Sequence, residues 1–270
     1  MTPLAFKPDI AADIRAAIEQ ELCAIEDRHD VRLLFAVESG SRAWGFPSPD
    51  SDYDVRFIYV HPLEWYLKLQ PGRDVIELPI SDDLDINGWD LRKALTLLMR
   101  PNPVLLEWLS SPVRYRWNQD VCAKLGALAE KTAHQGACLY HYLNLGQSQW
   151  SKHVGERDEV SFKKYFYILR PALAIRWIRL NPDILPPMNL QALVAGLDLD
   201  ETVIAEIDNL LRLKAKAKEI GAGQRIAAID DLIHGEFEWA ETAEKATRKP
   251  KLMDEADALF QNVVTGAGDG

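Results

Sequence analysis

Asp52 and Asp54 open the apolar run Val55–Val60, and in an extended chain alternate residues share a face. Their carboxylates therefore point the same way at hydrogen-bonding separation. Like charges held so close repel and push one pKa up. A divalent cation removes that conflict, and hard Mg2+ prefers one or two carboxylates, waters and substrate phosphates. Upstream, the run Val31–Val37 ends at Gly40-Ser41. Small residues at a strand end, followed by a helical turn, let backbone N–H groups converge on a phosphate. Arg42 follows that turn and Ser51 precedes the acidic pair, while Arg56 lies on the Asp52/Asp54 face by period. Asp-x-Asp alone is common, and glycine and aspartate also make ordinary turns. The ordered set of strand, Gly-Ser, turn, Ser-Asp-x-Asp and strand is what transfer of a nucleotide from a triphosphate needs.

Gly40-Ser41-Arg42-x-x-Gly45 followed by Ser51-Asp52-Tyr53-Asp54 resembles the nucleotidyltransferase signature of the DNA polymerase β superfamily. Three later stretches narrow the resemblance: Asp85 to Leu95, Asn102 to Pro112 and Lys163-Lys164-Tyr165. Together they look like the bacterial and phage RNA repair pathway DNA polymerase β family, over roughly Val31 to Arg179. The resemblance implies an α+β fold and Mg2+ or Mn2+ with a nucleoside triphosphate, ATP included. It implies the acceptor only weakly. It also asks for a third carboxylate near the attacking hydroxyl. Asp85 is the choice, in an apolar strand beside Asn87-Gly88, with Asp83 on the same face as fallback and Asp82 as a turn residue. Asp52, Asp54 and Asp85 are thus the expected catalytic and metal-holding set. There is no Gly-Gly at Gly40, no Arg-Arg-Asp element and no helix-hairpin-helix segment, which argues against a CCA-adding enzyme and a DNA-repair polymerase.

Several elements must position these groups. Ile10, Ile14, Ile18, Leu22 and Ile25 recur at helical spacing, so a helix capped by Asp9 and running to about Arg28 should pack on the sheet. Short strands are expected at Val75–Leu78 and Leu84–Trp89, with a short helix at Leu63–Leu67 between them and the preceding strand. Asp90 should cap a helix Leu91–Met99 that Pro101 and Pro103 end, and Trp108 reads as core. Pro112–Trp117 reads as the crossing between two lobes. The domains expected are a catalytic lobe, 1–117, of small mixed sheet and flanking helices, and an all-helical lobe, 118–270, with the cleft between them. Its first helix is expected over Val121–Trp150.

In that second lobe Lys163, Tyr167 and Arg170 share one helix face, with Lys164 about 100° away. Cations there would hold the β- and γ-phosphates and the tyrosine would stack on base or ribose. The plainer alternative is an amphipathic helix with a snorkelling basic edge. His134, His141 and Asn144 recur on one helix but read as ordinary helix polars, and the basic run Lys245–Lys251 as solvated charge.

The chain has 270 residues, 47% of them apolar, enough for a full core. No apolar run approaches the ~20 residues of a membrane span, and the first residues show no secretory signal. Cys23, Cys122 and Cys138 have neither disulfide nor metal-ligand spacing and read as buried thiols in a reducing cytoplasm. A net charge of −10 disfavours a large nucleic-acid footprint but leaves room for a single RNA end. Two rivals to transfer onto an RNA end stay open. One is nucleotidylation of a small molecule or protein side chain; the other is a silent nucleotide-binding module.

Overall fold

The computed structural model of the chain describes residues 6, 8, 10–81, 83–100, 102–132, 135–216, 221–243 and 252–266. The chain forms two compact units. One comprises 8–40, 52–133 and 248–270; the other comprises 1–7, 41–51 and 134–247. Asp9, Asp82, Pro101, His134 and the run Lys245–Lys251 lie outside the described residues.

The first unit is built on five strands: β1 (Arg32–Glu38), β2 (Tyr53–Val60), β3 (Val75–Glu77), β4 (Leu84–Asp90) and β5 (Arg114–Trp117). Their order is β3-β4-β2-β1-β5, with β2 and β4 parallel and every other pair antiparallel. The expected small mixed sheet is therefore present. Helix α1 (Ala12–His29) lays Ile18, Leu22 and Ile25 against Val31, Leu33, Ala36, Tyr53, Val55, Phe57 and Tyr59. Tyr53, Val55, Phe57 and Tyr59 alternate along β2, so that core claims one face of the sheet and leaves Asp54 and Arg56 on the other. The backbone cap of α1 is Ala11.

Helix α2 (Gly40–Trp44) starts at the end of β1 and carries the chain into the second unit. In the sheet unit follow α3 (Leu63–Tyr66), α4 (Leu91–Met99), α5 (Pro103–Leu109) and α6 (Gln119–Lys131). Asp90 caps α4 as expected, accepting from the Arg92 N–H at 2.8 Å and from the Tyr66 hydroxyl at 2.6 Å. Trp108 is buried against Trp89, ring centres 4.2 Å apart.

The second unit holds α7 (Gln135–His153), α8 (Phe162–Leu180), α9 (Leu190–Gly196), α10 (Glu201–Lys216) and α11 (Ala227–Thr242). Helix α12 (Met253–Thr265) returns to the sheet unit, where Arg32 donates to the Val263 carbonyl at 3.0 Å. Among the described residues no helix is long and apolar enough to cross a membrane.

Four local expectations are corrected. Pro112–Trp117 is no bare crossing: Arg114–Trp117 pairs with β1 as an edge strand. Its arginines hide it, because charge on an edge strand obscures alternation while guarding the edge. The helix expected over Val121–Trp150 is two helices, since Thr132 is extended and closes α6. The helical unit is not purely α: β6 (Glu159–Ser161) and β7 (Ala222–Gln224) pair as a two-stranded ribbon. Finally, Cys23 is exposed and accepts a hydrogen bond from Arg116 at 2.8 Å, whereas Cys122 and Cys138 are buried.

Candidate active site

On the face of the sheet opposite α1, parallel pairing sets Asp54 of β2 directly beside Asp85 of β4. One nitrogen of Arg56, Nη2, donates to both, at 3.1 Å to Asp54 Oδ1 and 2.7 Å to Asp85 Oδ2. The side chains of Asp54 and Asp85 are 27% and 29% exposed, so the pair is open to solvent on one side. Arg56 is a fixed cation that keeps two carboxylates adjacent, and it also binds the Asp85 carbonyl at 2.7 Å. Asp83 is exposed, and its carbonyl accepts from the Tyr53 N–H at 2.7 Å. Asp52 is exposed and precedes β2. Among the described residues no group of three or more His, Cys, Asp or Glu is placed to hold a metal ion.

Gly40 stands over Asp54. Its φ is +58°, a left-handed setting that costs other residues roughly 1–2 kcal/mol. A Cβ there would overlap the Asp54 carboxylate at Oδ2 and Cγ. The Ser39 N–H also donates to the Asp54 carbonyl at 2.8 Å, tying the turn to β2. Gly40→Ala is therefore expected to lower the melting temperature by several degrees and displace Asp54. Thermal denaturation together with Mn2+ titration would check both effects.

The loop after Gly40 closes on itself. Arg42 donates to the Ser51 carbonyl at 2.6 Å, Ser48 and Ser51 hydroxyls meet at 2.9 Å, and the Phe46 N–H reaches the Ser41 carbonyl at 3.0 Å. Ser41 and Ser51 are buried. In the same unit, Tyr167 of α8 meets the Trp44 ring edge-on at 5.8 Å, and the Arg170 guanidinium lies 4.8 Å from the Trp44 ring centre. Arg170 is buried and donates from Nε to the Met188 carbonyl at 2.9 Å. Lys163 and Lys164 fall in the first turn of α8, where the helix dipole disfavours cations, and no acid accompanies them. Lys164 lies over the Tyr167 ring at 5.4 Å.

The model of the RNA repair pathway DNA polymerase beta family matches residues 14–262. The chain belongs to that family. The uncharacterized protein YcgL of Bacillus subtilis (strain 168) is 42% identical over 253 residues, which cover 93% of this chain and 96% of the relative. A crystal structure of a nucleotidyltransferase-like protein from Exiguobacterium sibiricum 255-15 aligns over 92% of this chain and 77% of its own. Identity there is 12% and the TM-score 0.27.

In this member of the RNA repair pathway DNA polymerase β family, one group beside the acidic pair was not expected from the sequence. Glu38, the last residue of β1, is 0% exposed. Its Oε1 accepts the Asp54 N–H at 2.9 Å and its Oε2 accepts the Tyr115 hydroxyl of β5. A buried carboxylate persists only where donors satisfy it, and here they come from strands on both sides of β1. Glu38 thus fixes the backbone at the start of β2. Glu38→Gln leaves one acceptor and brings in an amide that must face the tyrosine oxygen. A loss of about 1–3 kcal/mol in urea denaturation is expected.

Proposed function

We propose that this family member is a metal-dependent nucleotidyltransferase that moves a nucleoside monophosphate from a triphosphate to an acceptor hydroxyl at an RNA end. The observation that supports it most is the adjacency of Asp54 and Asp85 on register-matched parallel strands, beneath a glycine that admits no side chain. The acceptor oxygen would bond to the α-phosphorus as the bond to the bridging oxygen breaks and pyrophosphate leaves. Asp85 would receive the acceptor's proton.

Asp52, Asp54 and Asp85 would hold Mg2+ or Mn2+. All three offer hard oxygen, and Arg56 already satisfies the pair with a cation, so the donor set suits that ion. The metal would supply charge neutralisation at the phosphates and a lowered pKa for the acceptor hydroxyl. Gly40, Ser41, Arg42 and Ser51 would secure the phosphates from the turn. Lys163 and Lys164 would offer cations from a helix end that itself favours anions, with Tyr167 beside the loop. Arg170, bound to Met188, would act from behind Trp44.

Incubation with α-labelled triphosphates, Mg2+ or Mn2+ and single-stranded RNA is expected to extend the RNA by labelled nucleotide. Labelled protein, or pyrophosphate release without extended RNA, would transfer the reading to a protein or small-molecule acceptor, which the net charge of −10 accommodates. Triphosphate binding without any transfer would leave a nucleotide-binding module.

A further inference from the structure

The signature loop is seated in the helical unit by aromatic contacts. Phe46 is buried and stacks on Phe166 of α8, ring centres 4.9 Å apart and planes 18° from parallel. Tyr167 meets the Phe46 ring edge-on at 6.1 Å. Gln191 of α9 donates through Nε2 to the Gly45 carbonyl. Into this apolar seat runs Lys214 of α10. Its Nζ lies 4.5 Å from the Phe46 ring centre, 5.2 Å from that of Phe166 and 5.9 Å from that of Tyr167.

Lys214 is 1% exposed, and among the described residues its amine has no hydrogen-bond partner. An amine in that state is costly, and ring faces return only part of the lost hydration. A methionine would fill the same space without that cost. Among the described residues, the charged groups that act on Lys214 are Lys163 of α8, which repels its charge, and Asp50 of the loop, which attracts it. Around the seat, Lys164 lies over Tyr167 and Arg170 over Trp44. Burial above all, then Lys163, pulls the amine down to about 7, against the pull of Asp50.

The loop carries any such change to both its ends. Bonds from Arg42 to Ser51, from Ser48 to Ser51 and from Phe46 to Ser41 make residues 41–51 a cross-linked body. That body begins at Ser41 and stops one residue short of Asp52. We propose that Lys214 is a positioning residue: through Phe46 it sets the cross-linked loop, and the charge on its amine shifts Ser41 and Asp52 together. With the amine neutral, the seat closes on Phe46 as an apolar core. With it charged, the ammonium is drawn toward Asp50 and away from Lys163, and the loop moves with it. The consequence for triphosphate binding rests on the nucleotidyltransferase reading; the movement of the loop does not.

The test compares the full chain with Lys214→Met and Lys163→Gln. Backbone amide spectra of residues 41–51 are followed from pH 5.5 to 9, alongside binding of a non-hydrolysable nucleoside triphosphate with Mg2+. In the wild type the loop amides are expected to titrate together with a midpoint near 7, and triphosphate affinity to change by about fivefold across it. Lys214→Met should abolish both responses. Lys163→Gln, which removes the repelling charge, should move the amide midpoint upward. Loop amides that titrate identically in Lys214→Met, that do not titrate in the wild type, or whose midpoint ignores Lys163→Gln, would overturn the proposal. Amides that respond as expected without triphosphate binding in any of the proteins would sustain it and sink the nucleotide reading.

Discussion

Replacing Asp54 with asparagine is expected to cut label transfer from a triphosphate by on the order of a thousandfold or more while barely moving the thermal transition. Asparagine keeps the shape of aspartate, so it still fits beneath Gly40, and its backbone N–H still reaches Glu38. What it removes is one charge of the carboxylate pair that would hold the metal. The stability cost is small because the Asp54 side chain is 27% exposed and Arg56 keeps its shorter bond to Asp85. A half-open ion pair of this kind is worth about 0–1 kcal/mol. Mn2+ binding, read by electron paramagnetic resonance, should weaken in parallel with activity. Asp83→Asn is the matching control: that side chain is exposed and the backbone carbonyl that binds Tyr53 is kept, so transfer and Mn2+ affinity should stay at wild-type values. A variant lacking both Asp52 and Asp54 that still transfers label under Mg2+ would remove the reaction centre from this face of the sheet.

The adjacency behind that prediction was only half legible in the sequence. A period of two puts Asp54 and Arg56 on one face of β2, and the same rule puts Asp85 and Asn87 on one face of β4. Neither rule says that β2 and β4 are neighbours in parallel, which is set by α3 and β3 filling the connection between them. Glu38 escaped notice because a glutamate ahead of Ser-Gly reads as the polar end of a strand. Its burial depends on β5, whose Arg-Tyr-Arg-Trp pattern does not announce a strand. The ribbon of β6 and β7 was hidden for a related reason: Glu-Val-Ser and Ala-Gly-Gln are too short and too poor in β-branched residues to stand out. Lys214 was invisible for a different cause. In the run Leu-Arg-Leu-Lys-Ala-Lys a lysine looks like one more solvated charge on an amphipathic helix, and only the packing of Phe46 against α8 turns that position inward.

Lys214→Met should therefore stabilise the protein, by roughly 3–5 kcal/mol near neutral pH, and the gain should shrink toward zero as the pH approaches 10.5. The sign follows from proton counts. A lysine in the unfolded chain holds its proton up to about 10.5, whereas in the folded protein it gives it up at about 7. Between those values the unfolded state binds more protons, so wild-type stability climbs with pH across that window. Below the folded value both states are protonated, and the folded state bears the full cost of a charge that burial keeps from water. Methionine carries no proton and suits a seat of aromatic rings, so its stability should lack this climb. Urea denaturation of both proteins from pH 6 to 10 gives the comparison directly. The two curves should lie farthest apart at the acid end and converge at the alkaline end. Parallel curves would mean that Lys214 keeps its ordinary affinity for protons in the folded state, which requires a hydrated amine and a loop seat that water enters.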